Sequence, residues 1–342
     1  MSPAAPRCRC KRVKLWTLIV RREDRVAVKP LASFNWDSCD GAHLKSYLFG
    51  SAEAPPRQRV VLVCGAFLPA LVYAPFATAL AKQLGDDWGI YVYDRRGKGQ
   101  SSPVDEDYSL DTEIYDVAAA LRSSQAHHLV GHSLGGAIVL HAVRMLCETP
   151  DVSLRDLTPA TTTVYDPAIN VDGSFDTSWL PKFKNYFENG RLGRAMALVE
   201  RHLGMSRTLS RAPTWMLAGV LALSMRTGLR NTTRSIFPAG VAELTAAFQE
   251  EAKASDFANL PARTCLITGE RSADYFQVTA ATLAKSVPDS RFIVSPKGFH
   301  GSIPAVRHRI VESLALWLKD EPLGALDLGM QSLPNGAVQK RR

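Results

Sequence analysis

Short apolar runs recur along the chain and alternate with longer stretches in which apolar positions return every three or four residues. The short runs are Val60 to Cys64, Gly89 to Tyr93, His127 to Val130, Thr161 to Tyr165, Arg263 to Thr268 and Arg291 to Val294. The clearest of them, Val60 to Cys64, is apolar at every position rather than at alternate ones, which predicts a strand buried on both faces of a parallel sheet. Between the runs, helical periodicity predicts helices over Tyr73 to Leu84, Asp111 to Arg122, Leu134 to Cys147, Tyr275 to Val287 and Ile303 to Lys319. The beginning differs. Leu31 to Trp36 and His43 to Phe49 flank the turn-rich Asp37-Ser38-Cys39-Asp40-Gly41, the pattern of an antiparallel hairpin.

The alternation stops at Ala168 and resumes near Asn259. In between there is helical pattern only, punctuated by Pro181, Gly190, Pro213 and Pro238. The expected architecture is therefore α/β: a mainly parallel eight-stranded sheet flanked by helices, built from residues 31–167 and 260–320, with a helical cap over 168–259 inserted into it. A basic N-terminal extension over 1–30 and a polar C-terminal tail over 321–342 complete the division.

Charge changes this picture little. The formal net charge is +8, but residues 1–29 alone hold nine Lys or Arg against two acids, and Lys340, Arg341 and Arg342 end the chain. Without these termini the body is close to neutral, which argues against a nucleic-acid face. No stretch reaches the roughly eighteen apolar residues of a membrane span. The apolar segment Leu15 to Val20 is shorter than a signal-peptide core, so secretion is not expected. Of the six cysteines only Cys8 and Cys10 lie close together, with no further ligand nearby. Reduced thiols in a cytoplasmic protein are the expectation, with no metal and no organic cofactor.

The chemistry concentrates in Gly131-His132-Ser133-Leu134-Gly135, which ends a predicted strand and opens a predicted helix. A turn that sharp leaves no room for side chains at its two glycines and lifts the serine above the sheet. The helix N-terminus behind it favours developing negative charge. Of eight histidines, His300 stands in the glycine-flanked loop Lys297-Gly298-Phe299-His300-Gly301 after the last strand, at the carboxyl edge where such sheets place their sites. It is the expected base for Ser133; the other seven are assigned to packing or surface.

These residues resemble the α/β-hydrolase superfamily, and the likeness runs from Leu31 to Lys319. Tyr93-Asp94-Arg95-Arg96-Gly97-Lys98-Gly99-Gln100-Ser101 is similar to that superfamily's Asp-x-Arg-Gly-x-Gly-x-Ser loop, which buttresses the nucleophile turn. Cys64-Gly65-Ala66-Phe67 stands where relatives often carry His-Gly. The resemblance implies an oxyanion hole made of backbone N–H groups from Ala66 or Phe67 and from Leu134.

For the acid, two aspartates stay open. Asp274 follows the strand ending at Thr268, the commoner location, although relatives usually read Gly-x-x-Asp there and position 272 is Ser. Asp166 follows the strand Thr161 to Tyr165, where a minority branch carries its acid; Val164-Tyr165-Asp166-Pro167 weighs toward it. The implied activity is serine hydrolysis of a carboxylic ester, lactone or related acyl substrate, with a hydrophobic small molecule as partner. Trp179, Trp215 and Met216 of the cap are expected to wall its pocket. Within the fold, C–C bond hydrolysis, acyl transfer and a hydrolase-like receptor with negligible turnover are the alternatives. A serine in place of an aspartate nucleophile argues against alkyl-halide chemistry. Oligomeric state is not legible.

Overall fold

The computed structural model describes residues 28–204, 213–226, 230–249, 251–261, 263–288 and 290–322. The expectations for Cys8 and Cys10, for nearly all of the basic extension and for nearly all of the C-terminal tail lie outside the described residues.

Eight strands form one sheet: β1 (Ala32–Asp37), β2 (His43–Gly50), β3 (Arg59–Val63), β4 (Gly89–Tyr93), β5 (His128–His132), β6 (Thr161–Tyr165), β7 (Thr264–Gly269) and β8 (Arg291–Ser295), in the order β1-β2-β4-β3-β5-β6-β7-β8. β1 pairs antiparallel with β2, and β2 with β4; every pairing from β4 to β8 is parallel. The central strands are short and apolar because both faces are covered. In β3, Val61 and Val63 join one core while Val60 and Leu62 join the other.

The first core lies under α2 (Leu110–Ser124), α3 (Leu134–Glu148) and α9 (Asp274–Ser286). The second lies under α1 (Ala74–Leu84) and α10 (His308–Leu318). Crossover helices on both faces are what right-handed parallel connections require. The closing helix begins five residues later than its periodicity predicts. Ile303 to Val306 form turns, with Val306 at φ +53°, and Pro304 leaves this segment without a full set of amide donors.

Between β6 and β7 the described residues include four α-helices, α5 (Leu180–Glu188), α6 (Leu192–Leu203), α7 (Thr214–Arg226) and α8 (Arg230–Gln249), after the one-turn α4 (Val152–Arg155) that precedes β6. Apart from a single Val171–Ala252 bridge, no strand pairing is described in this stretch. Phe183, Met196, Val199, Phe237, Leu244 and Phe248 bury one another there in an apolar cluster of their own. Pro238 does not end a helix, as its residue type suggests; α8 runs through it. No helix among the described residues is long and apolar enough to cross a membrane.

Candidate functional site

Ser133 sits between β5 and α3 with φ +57° and ψ −124°, a conformation an L-residue adopts only when its surroundings enforce it. The enforcement is visible in its flanks. A Cβ at Gly131 would lie 2.5 Å from the Gly135 carbonyl oxygen, and one at Gly135 would collide with the Val63 carbonyl of the neighbouring strand. The Ser133 N–H donates to Tyr165 O at 2.9 Å, and Ser133 O accepts from Gly136 N and Ala168 N. The turn is thus fastened to β6 as well as to its own helix. Leu134, the first residue of α3, has an N–H with no acceptor inside the helix.

The Ser133 hydroxyl meets His300. Its Oγ is 3.0 Å from Nε2, and Nδ1 of the same ring is 3.2 Å from Asp166 Oδ2. A carboxylate at Nδ1 places the proton there, which leaves the Nε2 lone pair facing the hydroxyl. His300 is 6% exposed, and Phe276 of α9 stacks on its ring at 4.6 Å with 14° between planes. An aromatic face against the imidazole restricts the ring to one plane.

Of the two aspartates, Asp166 is brought to the imidazole. It stands just past β6 at φ +45°, and its carboxylate is fully buried. Oδ1 accepts from Gly269 N at 3.0 Å. Oδ2 accepts from Ser272 Oγ at 2.5 Å, in addition to His300. Asp274 is the exposed first residue of α9, a position where a carboxylate suits the helix N-terminus. The serine at position 272 explains the departure noted in the sequence. At position 272, where the resemblance implies an acid, this chain carries a hydroxyl that donates to Asp166 at the end of β6.

Two site residues escaped the sequence reading. His132, assigned there to packing, is 2% exposed and joins both halves of the site. Its Nε2 is 2.8 Å from the His300 backbone carbonyl, and its Nδ1 is 2.7 Å from the Tyr73 hydroxyl, which also accepts from Gly65 N at 2.8 Å. A carbonyl can only accept, so Nε2 carries the proton, Nδ1 is the acceptor and Tyr73 O–H donates to it. Burial, with the His300 ring alongside, lowers the His132 pKa to about 3, and burial holds the Tyr73 hydroxyl well above its usual range. Both are neutral, and the protons have one arrangement. The only sequence signal for this was a histidine inside the nucleophile pentapeptide.

The Cys64-Gly65-Ala66-Phe67 loop follows β3, and Gly65 lies against Ser133: a Cβ placed on it would be 3.2 Å from the Ser133 Cβ. Phe67, at φ +58°, packs its ring against Phe237 of α8 at 5.5 Å. The three expected pocket residues separate. Trp179 is buried and stacks on His202 at 5.1 Å, within the apolar cluster of the helical segment. Trp215 is 78% exposed and Met216 44% exposed. These two face outward on the first turn of α7 rather than walling an enclosed pocket, because the buried face of that turn is supplied by Leu217.

An open cleft of about 930 Å³ lies at the other, amino-terminal edge of the strands, lined by residues such as Arg57, Trp88, His128 and Arg263, and it includes none of the groups around Ser133. Among the described residues, no cluster of His, Cys, Asp or Glu is arranged to hold a metal ion.

With this geometry in place, comparison with known proteins assigns the family. The profile described as the alpha/beta hydrolase family matches residues 60–321, most of the chain. The chain belongs to the α/β-hydrolase family. Membership gives its general class, a hydrolase. Among solved structures, the chain is similar to a bromoperoxidase from Bacillus anthracis, at 19% identity and a TM-score of 0.64 over 84% of this chain and 100% of that one. It is also similar to the enol-lactonase from Burkholderia xenovorans LB400, at 16% identity and a TM-score of 0.61 over 82% and 98%. A curated relative, protein phosphatase methylesterase 1 from Kluyveromyces lactis, is 31% identical over 99 residues, 25% of this chain and 25% of that protein. The chain thus matches only a quarter of that relative's length.

Proposed function

We propose that this hydrolase cleaves a carboxylic ester or lactone through an acyl-enzyme, with Ser133 as nucleophile, His300 as general base and Asp166 as the acid that orients it. The observation that carries the reading is the relay Ser133 Oγ, His300 Nε2, His300 Nδ1, Asp166 Oδ2, with links of 3.0 and 3.2 Å at the carboxyl edge of the sheet. In the first half-reaction His300 takes the hydroxyl proton as Ser133 Oγ bonds to the acyl carbon, and the carbonyl oxygen becomes an oxyanion. The donors assigned to it are the N–H groups of Leu134, next to Ser133 in the chain, and of Ala66, which follows the Gly65 that packs on Ser133. His300 then returns the proton to the leaving alkoxide as the C–O bond breaks. Water, deprotonated by the same ring, releases the acid and restores the serine.

Asp166 is held in place for this role. Three donors satisfy its carboxylate, and its charge stabilises the imidazolium. The choice of ester and lactone substrates draws on two of the similar proteins, a methylesterase and an enol-lactonase. The test is pre-steady-state hydrolysis of p-nitrophenyl esters of increasing acyl length. A burst of nitrophenolate matching the enzyme concentration is expected, with His300→Ala folded but without a burst. Turnover by His300→Ala near the native rate contradicts the assignment.

A further inference from the structure

Glu243 belongs to α8, yet its carboxylate is fully buried against two cations of the loop that follows β4: Lys98 Nζ at 2.5 Å and Arg95 Nη2 at 3.1 Å. Arg95 also pairs with Glu113 of α2 at 2.7 Å, and the Tyr108 hydroxyl donates to the same Glu113 oxygen. No side chain of the charged quartet is more than 2% exposed. Charge balances, two against two. Desolvating four charges costs about as much as their attraction returns, so such a cluster is a poor stabiliser compared with apolar packing. What the cluster holds in place is therefore more informative than its net energy.

Both cations converge on one acceptor, the carbonyl oxygen of Gly65, with Arg95 Nη2 at 3.2 Å and Lys98 Nζ at 3.3 Å. The Gly65–Ala66 peptide is planar and trans, so its C=O and the Ala66 N–H point in opposite directions. Fixing the oxygen on two buried cations aims the N–H the other way. Positive charge at the oxygen also polarises the amide and strengthens its N–H as a donor. The other side of the same loop is held as well, because Gly65 N–H donates to the Tyr73 hydroxyl.

Helix α8 meets both loops. Gly240 lies one turn before Glu243, on the same face, and the Phe67 ring occupies the space where a side chain at Gly240 would stand. Ala239 presses likewise on Gly97, inside the loop that supplies the cations.

We propose that Glu243 is a positioning residue for the oxyanion hole: through Lys98 and Arg95 it fixes the Gly65–Ala66 peptide so that the Ala66 N–H addresses the oxyanion formed at Ser133. The helical segment between β6 and β7 thereby contributes to the chemistry as well as covering the site. This rests on the serine-hydrolase reading above.

The experiment compares full-length wild type with Glu243→Gln, Glu243→Asp and Lys98→Met. Fluorophosphonate titration counts competent Ser133, and two quantities are then measured per competent site. One is kcat and KM on a p-nitrophenyl ester. The other is the inhibition constant of an aryl trifluoromethyl ketone, whose serine adduct carries the oxyanion. In Glu243→Gln and Lys98→Met, kcat and ketone affinity fall together, by about 10- to 100-fold, with KM within about twofold; removing a donor outright costs about 100-fold or more. Glu243→Asp keeps the charge and lies between, and it decides by the same readouts if the Gln variant does not fold. Unchanged kcat and ketone affinity per site, with only a lower melting temperature, overturns the inference and leaves the hydrolase reading intact. A wild type that is neither labelled nor hydrolytic overturns both.

Discussion

His132 Nε2 donates to the backbone carbonyl of His300 across 2.8 Å, so the residue before Ser133 holds the loop that carries His300. Through Tyr73 the same imidazole reaches the Gly65 amide, and three segments far apart in sequence share one buried hydrogen-bond chain. Replacing His132 by Phe keeps the volume and removes both bonds. Loss of buried hydrogen bonds costs about 1–3 kcal/mol, part of it as misplacement of the base. The expected result is a kcat lowered by about 10- to 100-fold with KM nearly unchanged, in steady-state ester hydrolysis. Tyr73→Phe should act in the same direction, since it strands the Gly65 N–H and removes the donor to His132.

The two aspartates should separate sharply. Asp166→Asn removes the charge and disturbs the imidazole tautomer, for which a loss of about 10³- to 10⁴-fold in kcat is expected. Asp274→Asn, at an exposed helix start, should stay within about twofold. Because Ser272 already reaches Asp166 Oδ2, a carboxylate at position 272 falls beside the same imidazole. The double variant Asp166→Asn, Ser272→Asp is therefore expected to recover part of the lost kcat. No recovery in that variant, with its fold intact, would mean that the backbone at position 272 cannot bring an acid to Nδ1.

Trp215→Ala is the corresponding test of the outward-facing surface of α7. An indole 78% exposed contributes little to folding and none of an enclosed wall, so kcat/KM on small esters should remain within about twofold. A tenfold rise in KM would return Trp215 to the substrate site.

Buried neutral histidines set the acid limit of stability. Burial is the first cause in each case, and it lowers the pKa of His128 to about 4, His132 to about 3 and His141 to about 4, from the ordinary 6.5. In the unfolded chain each takes up a proton near pH 6.5, while the native fold refuses it until the lower value. Their contribution is therefore complete above pH 6.5 and is lost progressively as pH falls toward 4. Urea unfolding at pH 7 and pH 5 should show the midpoint falling with an unchanged slope. His141→Leu, remote from the hydrogen bonds around Ser133, should flatten that dependence. An equal stability at both pH values would contradict it.

Local signals made most of the framework legible. Val60 to Val63 read as a doubly buried strand because every position is apolar and two cores claim alternate side chains. Ser133 was readable because Gly131 and Gly135 leave no space for any other residue at those points. His300 was readable from its place after the last strand. The hidden parts are those that depend on contacts distant in sequence. The choice between Asp166 and Asp274 stayed open because β6 and β7 end side by side, and only tertiary geometry shows Asp166 beside His300 with Ser272 donating to it. Glu243 gave no signal, since an acidic residue on a helix ordinarily faces water and its cations lie some 145 positions earlier. Pro238 misled in the other direction. A helix packed against a folded core can absorb one missing amide donor that would end an isolated one.

The central claim is that the Ser133 hydroxyl is activated by His300. It is tested most directly by exposing the folded protein to a fluorophosphonate and mapping the adduct by peptide mass spectrometry. One equivalent of phosphonyl on the peptide carrying Ser133 is expected, lost in Ser133→Ala and strongly slowed in His300→Ala. A native protein that takes up no label, or takes it up on another residue, contradicts the account.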